Sequence, residues 1–116
     1  MRFCADLSIE SGVILSGVGS LKYVRLRLAG GDQFYESPEP HEIVSITGTL
    51  SNEGMHVHLS VANRMGQVLG GHLVDGCQVY TTIELVVGEL EGLRFGREPD
   101  EKTGYRELSV TVVPKN

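Results

Sequence analysis

The chain has 116 residues, 41% of them hydrophobic and 22% charged, with a net charge of −5. This is the composition of a single folded domain, residues 1–116, whose small core would gain from oligomerisation. The acidic balance argues against non-specific contact with nucleic acid, which needs a basic surface, and no apolar run is long enough to span a membrane.

The opening Met1-Arg2-Phe3-Cys4-Ala5-Asp6 leads into no long apolar run, so no leader is expected and the expected location is cytoplasmic. Residues 1–9 are the one helix candidate, ended by Glu10-Ser11-Gly12 and too short to stand without packing on a sheet. Val13-Ile14-Leu15 reads as a short strand. Ser16-Gly17-Val18-Gly19-Ser20 then reads as a tight turn, because a phosphate loop would need a third glycine and a following helix. Residues 23–28 alternate, with Arg25 and Arg27 on one face and Val24, Leu26 and Leu28 on the other. Ala29-Gly30-Gly31-Asp32 is a turn, residues 33–36 a short edge strand, and Ser37-Pro38-Glu39-Pro40 a loop that His41 continues. Residues 42–50, rich in Ile, Val and Thr, form a strand.

A hairpin follows. Met55-His56-Val57-His58-Leu59-Ser60-Val61 alternates, so Val57, Leu59 and Val61 share one face and His56, His58 and Ser60 the other. The returning strand is Val68-Leu69-Gly70-Gly71-His72-Leu73. A three-residue hairpin loop commonly ends on a glycine at positive φ. With Arg64-Met65-Gly66 as that loop, Asn63 lies opposite Gln67, Val61 opposite Leu69, His58 opposite His72 and Val57 opposite Leu73. A loop one residue shorter or longer would turn His72 to the wrong face. Three imidazoles thus fall on one patch of sheet. Such a set suits zinc first, with nickel, copper and iron as other candidates. Three histidines with an open position is the arrangement of a catalytic rather than a closed structural zinc.

Val74-Asp75-Gly76 turns into the long strand 78–89. There Val79, Thr81, Ile83, Leu85 and Val87 share one face and Tyr80, Thr82 and Glu84 the other. Glu84 is the candidate catalytic carboxylate, able to orient a ligating histidine or to carry a proton. Cys4 and Cys77 stand in no metal or redox motif, and Cys77 reads as a small buried residue. Residues 93–97 form a strand; the acid after Arg97 and the residue order set it apart from a minor-groove motif. Pro99-Asp100-Glu101-Lys102-Thr103-Gly104 is a charged tight loop, and residues 106–113 close the sheet. The expected fold class is α+β: a curved, mainly antiparallel β-sheet with little helix.

Four segments together resemble the PPC (plants and prokaryotes conserved) domain family. They are Glu42-Ile43-Val44-Ser45-Ile46-Thr47-Gly48-Thr49-Leu50-Ser51, His56-Val57-His58-Leu59-Ser60, Gly70-Gly71-His72-Leu73 and Gly76-Cys77-Gln78-Val79-Tyr80-Thr81-Thr82-Ile83-Glu84. Leu15-Ser16-Gly17-Val18-Gly19-Ser20-Leu21 resembles the family's early Gly-x-Gly-Ser segment. The resemblance implies an α+β fold with a curved antiparallel sheet, assembled as a homotrimer. It also implies a DNA-associated regulatory role, by analogy with plant members that carry separate AT-hooks. Prokaryotic members are similar in fold and three-histidine arrangement to acetolactate decarboxylase, a zinc enzyme; that similarity falls on His56, His58 and His72. The family usually begins with a strand and a full helix, whereas eleven residues precede Gly12-Val13 here, so the first strand and part of the first helix are expected to be lacking. There is no AT-hook.

Three functions compete. The first is a homotrimeric metal-binding module with a DNA-associated role. Its acid charge would triple in a trimer, so DNA would need a local basic patch such as Lys22, Arg25 and Arg27, or a separate protein. The second is a zinc-dependent lyase or hydrolase acting on a small hydroxy or keto acid, with Glu84 carrying the proton. The third is a purely structural trimer.

Overall fold

The computed structural model describes residues 8–114. They form eight strands: β1 (Gly12–Arg27), β2 (Phe34–Ser37), β3 (His41–Ser51), β4 (Gly54–Ala62), β5 (Val68–Leu73), β6 (Gln78–Glu89), β7 (Leu93–Pro99) and β8 (Arg106–Val112). Every pairing is antiparallel. The expected curved antiparallel sheet is therefore present. No helix occurs among the described residues, and none of them could cross a membrane as one. The helix expected over residues 1–9 falls mostly outside the described residues.

Six strands form one sheet in the order β2-β1-β3-β4-β5, with β6 also on β1. Its organiser is β1, whose 16 residues serve different partners along their length. Gly12 to Leu21 pair with β3, and β6 runs beside the same stretch. Val24 to Arg27 pair with β2. At the far end Leu26 and Arg27 meet Leu73 and His72 of β5. The path β1-β3-β4-β5 therefore returns to β1, and the sheet curls into a closed ring. Closure hides strand edges that would otherwise invite aggregation.

Alternation fills this ring. Leu21, Val24, Leu26, Ile43, Leu59 and Val61 pack together inside, and Ile9, Ile14, Leu50 and Val57 form an adjoining cluster. Val24, Leu26 and Val61 are fully buried, each contributing about 1.5–3 kcal/mol by leaving water. The alternation that buries Val57, Leu59 and Val61 turns His56 and His58 outward.

Three expectations need correction. Ser16-Gly17-Val18-Gly19-Ser20 is not a turn, because β1 runs straight through it with register shifts against β6 at Ile14/Ser16 and Gly19/Leu21. Its glycines answer close packing instead. A Cβ at Gly17 would collide with Ile46 of β3, and one at Gly19 with the Thr82 carbonyl of β6. Residues 106–113 do not close the main sheet either; β8 pairs with β7 in a separate two-stranded sheet. This second sheet is tied down at its base. The buried Ser11 hydroxyl donates to the carbonyls of Leu90 (2.6 Å) and Leu93 (2.9 Å), and Phe95 N–H donates to the Glu10 carbonyl at 3.1 Å.

His41 is also no loop residue. It opens β3, is buried, and is held between the Tyr35 hydroxyl and the Glu39 carbonyl, each at 2.8 Å. Cys77, free and half-buried, donates its thiol to the Arg25 carbonyl at 3.4 Å and accepts from Arg25 N–H at 3.3 Å.

Candidate metal centre

The β4–β5 connection sets the site. Asn63 N–H donates to the Gln67 carbonyl at 3.0 Å, Gly66 N–H donates to the Asn63 carbonyl at 2.9 Å, and Gly66 has φ 78°. Arg64-Met65-Gly66 is thus a three-residue loop, and the ladder runs His58 opposite His72, Val61 opposite Leu69 and Ala62 opposite Val68. Sequence reasoning missed one determinant. The Asn63 side-chain oxygen accepts from Met65 N–H (2.9 Å) and Gln67 N–H (3.0 Å), fastening the turn from within. An asparagine at the head of the loop was the available signal.

Residues directly opposite on paired strands share a face. Arg27 of β1 lies opposite His72 of β5, His72 opposite His58 of β4, and His58 opposite Thr47 of β3. One row of side chains therefore crosses four strands. In the neighbouring row, His56 lies opposite Thr49. The three rings come together with centroid separations of 4.8 Å (His56–His58), 5.1 Å (His56–His72) and 5.4 Å (His58–His72). One nitrogen from each lies within 4.8 Å of the other two.

This arrangement fits a transition-metal ion. The His56 and His58 Nε2 atoms are 3.1 Å apart, close to the ~3.3 Å between two nitrogens that share a tetrahedral zinc with bonds of about 2.0–2.1 Å. His72 Nδ1 is buried without a hydrogen-bond partner. An unsatisfied buried nitrogen costs about 1–3 kcal/mol, and bonding to a cation would remove that cost. The donor set is all neutral nitrogen, which suits zinc, nickel, copper or iron better than magnesium or calcium.

Electrostatics favour the ligating form. The pKa of His72 is held below its ordinary value by burial first, then by the Arg27 guanidinium and the other two histidines. That of His56 is lowered by burial, then by His58, Arg97 and Arg27, against an opposing pull from Glu107. His56 is exposed on its outer side, and its Nε2 faces that of His58 at 3.1 Å. Both rings are accordingly neutral at pH 7. The sign is definite: unfolded chains take up these protons first, so metal-free stability is full above the ordinary histidine value of 6.5 and is lost as pH falls below it. Metal affinity is expected to be flat above pH ~6.5 and to drop on further acidification by up to about tenfold per unit for each proton taken up. Titration with a competing chelator from pH 8 to 5 measures this, and an affinity that falls steadily from pH 8 to 7 would contradict it.

Of the hollows that open onto the triad, two are the larger. One of about 530 Å³ is walled by His58, His72 and the turn after Arg27. The other, about 410 Å³, is walled by His56 and His72 together with Arg27, Glu53, Arg97, Tyr105, Arg106 and Glu107. Glu84 does not join them. It is exposed on β6 opposite Val18, outside both hollows. The carboxylates near the histidines are Glu53 and Glu107, which sequence reasoning did not select.

Comparison with known proteins shows the family and the fold. Residues 1–91 match the model of the Plants and Prokaryotes Conserved (PCC) domain. The chain is 43% identical over 112 residues to the bifunctional protein GlmU of Synechococcus sp. (strain JA-3-3Ab), but spans 18% of that protein's length. Among solved structures it is similar to a hypothetical protein from Salmonella, with 40% identity, TM-score 0.90, and 96% of this chain and 80% of that one covered. It is also similar to the metal-containing protein AF0104 of Archaeoglobus fulgidus, with 25% identity, TM-score 0.73, and 93% and 80% covered. A third similar structure, from Bacteroides thetaiotaomicron, is described as a "putative DNA binding protein", with 25% identity, TM-score 0.78, and 93% and 78% covered. With most of its length matched in sequence and its whole ring of strands matched in shape, this chain belongs to the PCC domain family.

Proposed function

We propose that this chain is a homotrimeric metal-binding module of the PCC family, in which His56, His58 and His72 hold zinc or another divalent transition metal and leave a position for a small ligand. The convergence of the three imidazoles, with the unpartnered His72 Nδ1 among them, carries this reading. The metal-containing relative from Archaeoglobus supports it. An ion held there would supply Lewis acidity at the position facing the hollows. The chain's own groups would do the rest: Arg27 and Arg97 add positive charge, and Glu53 and Glu107 are the carboxylates within reach for moving a proton. If the centre is catalytic, as a lyase or hydrolase on a small hydroxy or keto acid, these two glutamates take the role expected of Glu84.

Exposed apolar residues support the trimer. Leu15 (64% exposed) and Val18 (62%) of β1 and Val86 (56%) of the neighbouring β6 are open to solvent, as is Val44 of β3. Large apolar side chains left open on neighbouring strands suit an interface, and further copies of the chain would cover them. Sedimentation is expected to give a trimer at micromolar concentration, and Val86→Glu to release monomers. A stable wild-type monomer would refute the assembly. The free Cys77 thiol suits a reducing compartment, and we place the protein in the cytoplasm.

A DNA-associated role is the second reading, favoured by the description of the Bacteroides relative. The patch that would contact phosphates is divided here. Arg25 is paired with Glu36 at 2.7 Å, and Arg27 lies over Tyr105 beside the histidines. A duplex-retardation assay across salt concentrations separates the readings, since phosphate contacts weaken steeply with salt. The metal-module reading predicts no retardation at physiological salt.

A further inference from the structure

We propose that Arg27 and Arg97 form an oxyanion subsite beside the three histidines, which takes the carboxylate or phosphate group of a small ligand whose other end reaches the metal. The metal end rests on the reading above; the arginine end stands on its own geometry. Both guanidiniums wall the hollow of about 410 Å³ that also exposes His56 and His72.

The two arginines arrive from different elements. Arg27 is placed by the β1–β5 seam, directly opposite His72, and its guanidinium carbon stands 5.6 Å from the centre of the Tyr105 ring. Arg97 comes from β7, whose sheet lies beyond the stretch matched to the family. Its Nη2 donates to the Thr49 hydroxyl at 3.2 Å, and Thr49 lies opposite His56. Each arginine thus flanks a different histidine, and each pushes that histidine's proton affinity down.

Neither guanidinium is neutralised by a described residue. Among the described residues, Arg25, Arg64 and Arg94 are paired with Glu36, Glu39 and Glu10. Within the same set, Arg27 and Arg97 have no carboxylate within ion-pair distance. The nearby Glu107 carboxylate already accepts the Thr103 hydroxyl at 2.9 Å, and Arg106 donates to the Arg97 carbonyl at 3.0 Å. In a chain of net charge −5, three arginines against two glutamates in one hollow is a local reversal of sign. Held guanidinium forks suit the oxygen pairs of carboxylate and phosphate, and a hollow of this size admits a small anion.

Calorimetric titration of malonate and of inorganic phosphate into the metal-loaded protein tests this. At least one anion is expected to bind the wild type. Arg27→Gln and Arg97→Gln are each expected to weaken it tenfold or more, with metal content by elemental analysis and thermal unfolding unchanged. Arg27→Lys and Arg97→Lys, which keep charge but lose the fork, should fall between. The anion whose affinity drops more identifies the chemistry, carboxylate or phosphate. Repeating the titration on protein treated with chelator separates the two claims. Arginine-dependent binding that is equal with and without metal upholds the subsite and tells against the metal end. Wild-type affinity in both glutamine variants, or no binding of either anion to the wild type, overturns the subsite.

Discussion

Replacing His58 with alanine is expected to remove stoichiometric metal from the purified protein. His58 is the middle member of the set: it lies opposite His72 on the ladder, and its Nε2 is 3.1 Å from that of His56. Losing it leaves two nitrogens on different strands, and the affinity loss should exceed the ~10–100-fold typical of losing an outer partner of a metal ligand. Its ring is exposed, so the fold should tolerate the change. His41→Ala is the matched control. His41 is buried between Tyr35 and the Glu39 carbonyl, so its loss should lower stability and leave metal content intact. Elemental analysis of the three proteins decides the matter, and equal metal in wild type and His58→Ala would defeat the assignment.

Gly71→Val is expected to damage stability and metal binding together. A Cβ at Gly71 would stand 2.6 Å from the Arg27 carbonyl and 3.2 Å from Leu26 Cβ. That is the β1–β5 seam, where the ring closes and where Arg27 and His72 are set side by side. Overpacking of this kind costs about 1–3 kcal/mol, and the seam can relieve it only by parting, which displaces His72. Gly70→Ala should be milder, since its nearest contact would be the Leu59 carbonyl at 3.0 Å, on the β4 side. Denaturant unfolding and chelator competition on both variants provide the comparison. A Gly71→Val protein as stable and as avid for metal as the wild type would show that the seam does not position the histidine.

The hairpin was legible because two independent signals agreed. Alternation in Val57, Leu59 and Val61 set the faces, and Gly66 set the loop length, so His58 and His72 had to meet. The neighbouring segment misled for a physical reason. Gly17 and Gly19 read as turn residues because glycine is permissive, but what they permit is the approach of β3 and β6, which only the assembled sheet reveals. Glu84 failed for a related reason. Parity along β6 gives a face but not a position on β1, and β6 pairs with Gly12 to Tyr23, whereas the histidines gather near Arg27. Glu53, Arg97 and Tyr105 could not be found by local pattern at all. They reach the site from a turn, from β7 and from the β7–β8 connection, and the contact that seats Arg97, its bond to Thr49, spans 48 positions of sequence. Periodicity could show that residues 106–113 form a strand, but not which strand they choose.

X-ray absorption spectroscopy of the metal-loaded protein tests the central assignment most directly. Three imidazole nitrogens are expected at about 2.0–2.1 Å if the metal is zinc, falling to fewer in His58→Ala. A first coordination shell with no more than one imidazole in the wild type, or one unchanged by the substitution, would contradict it.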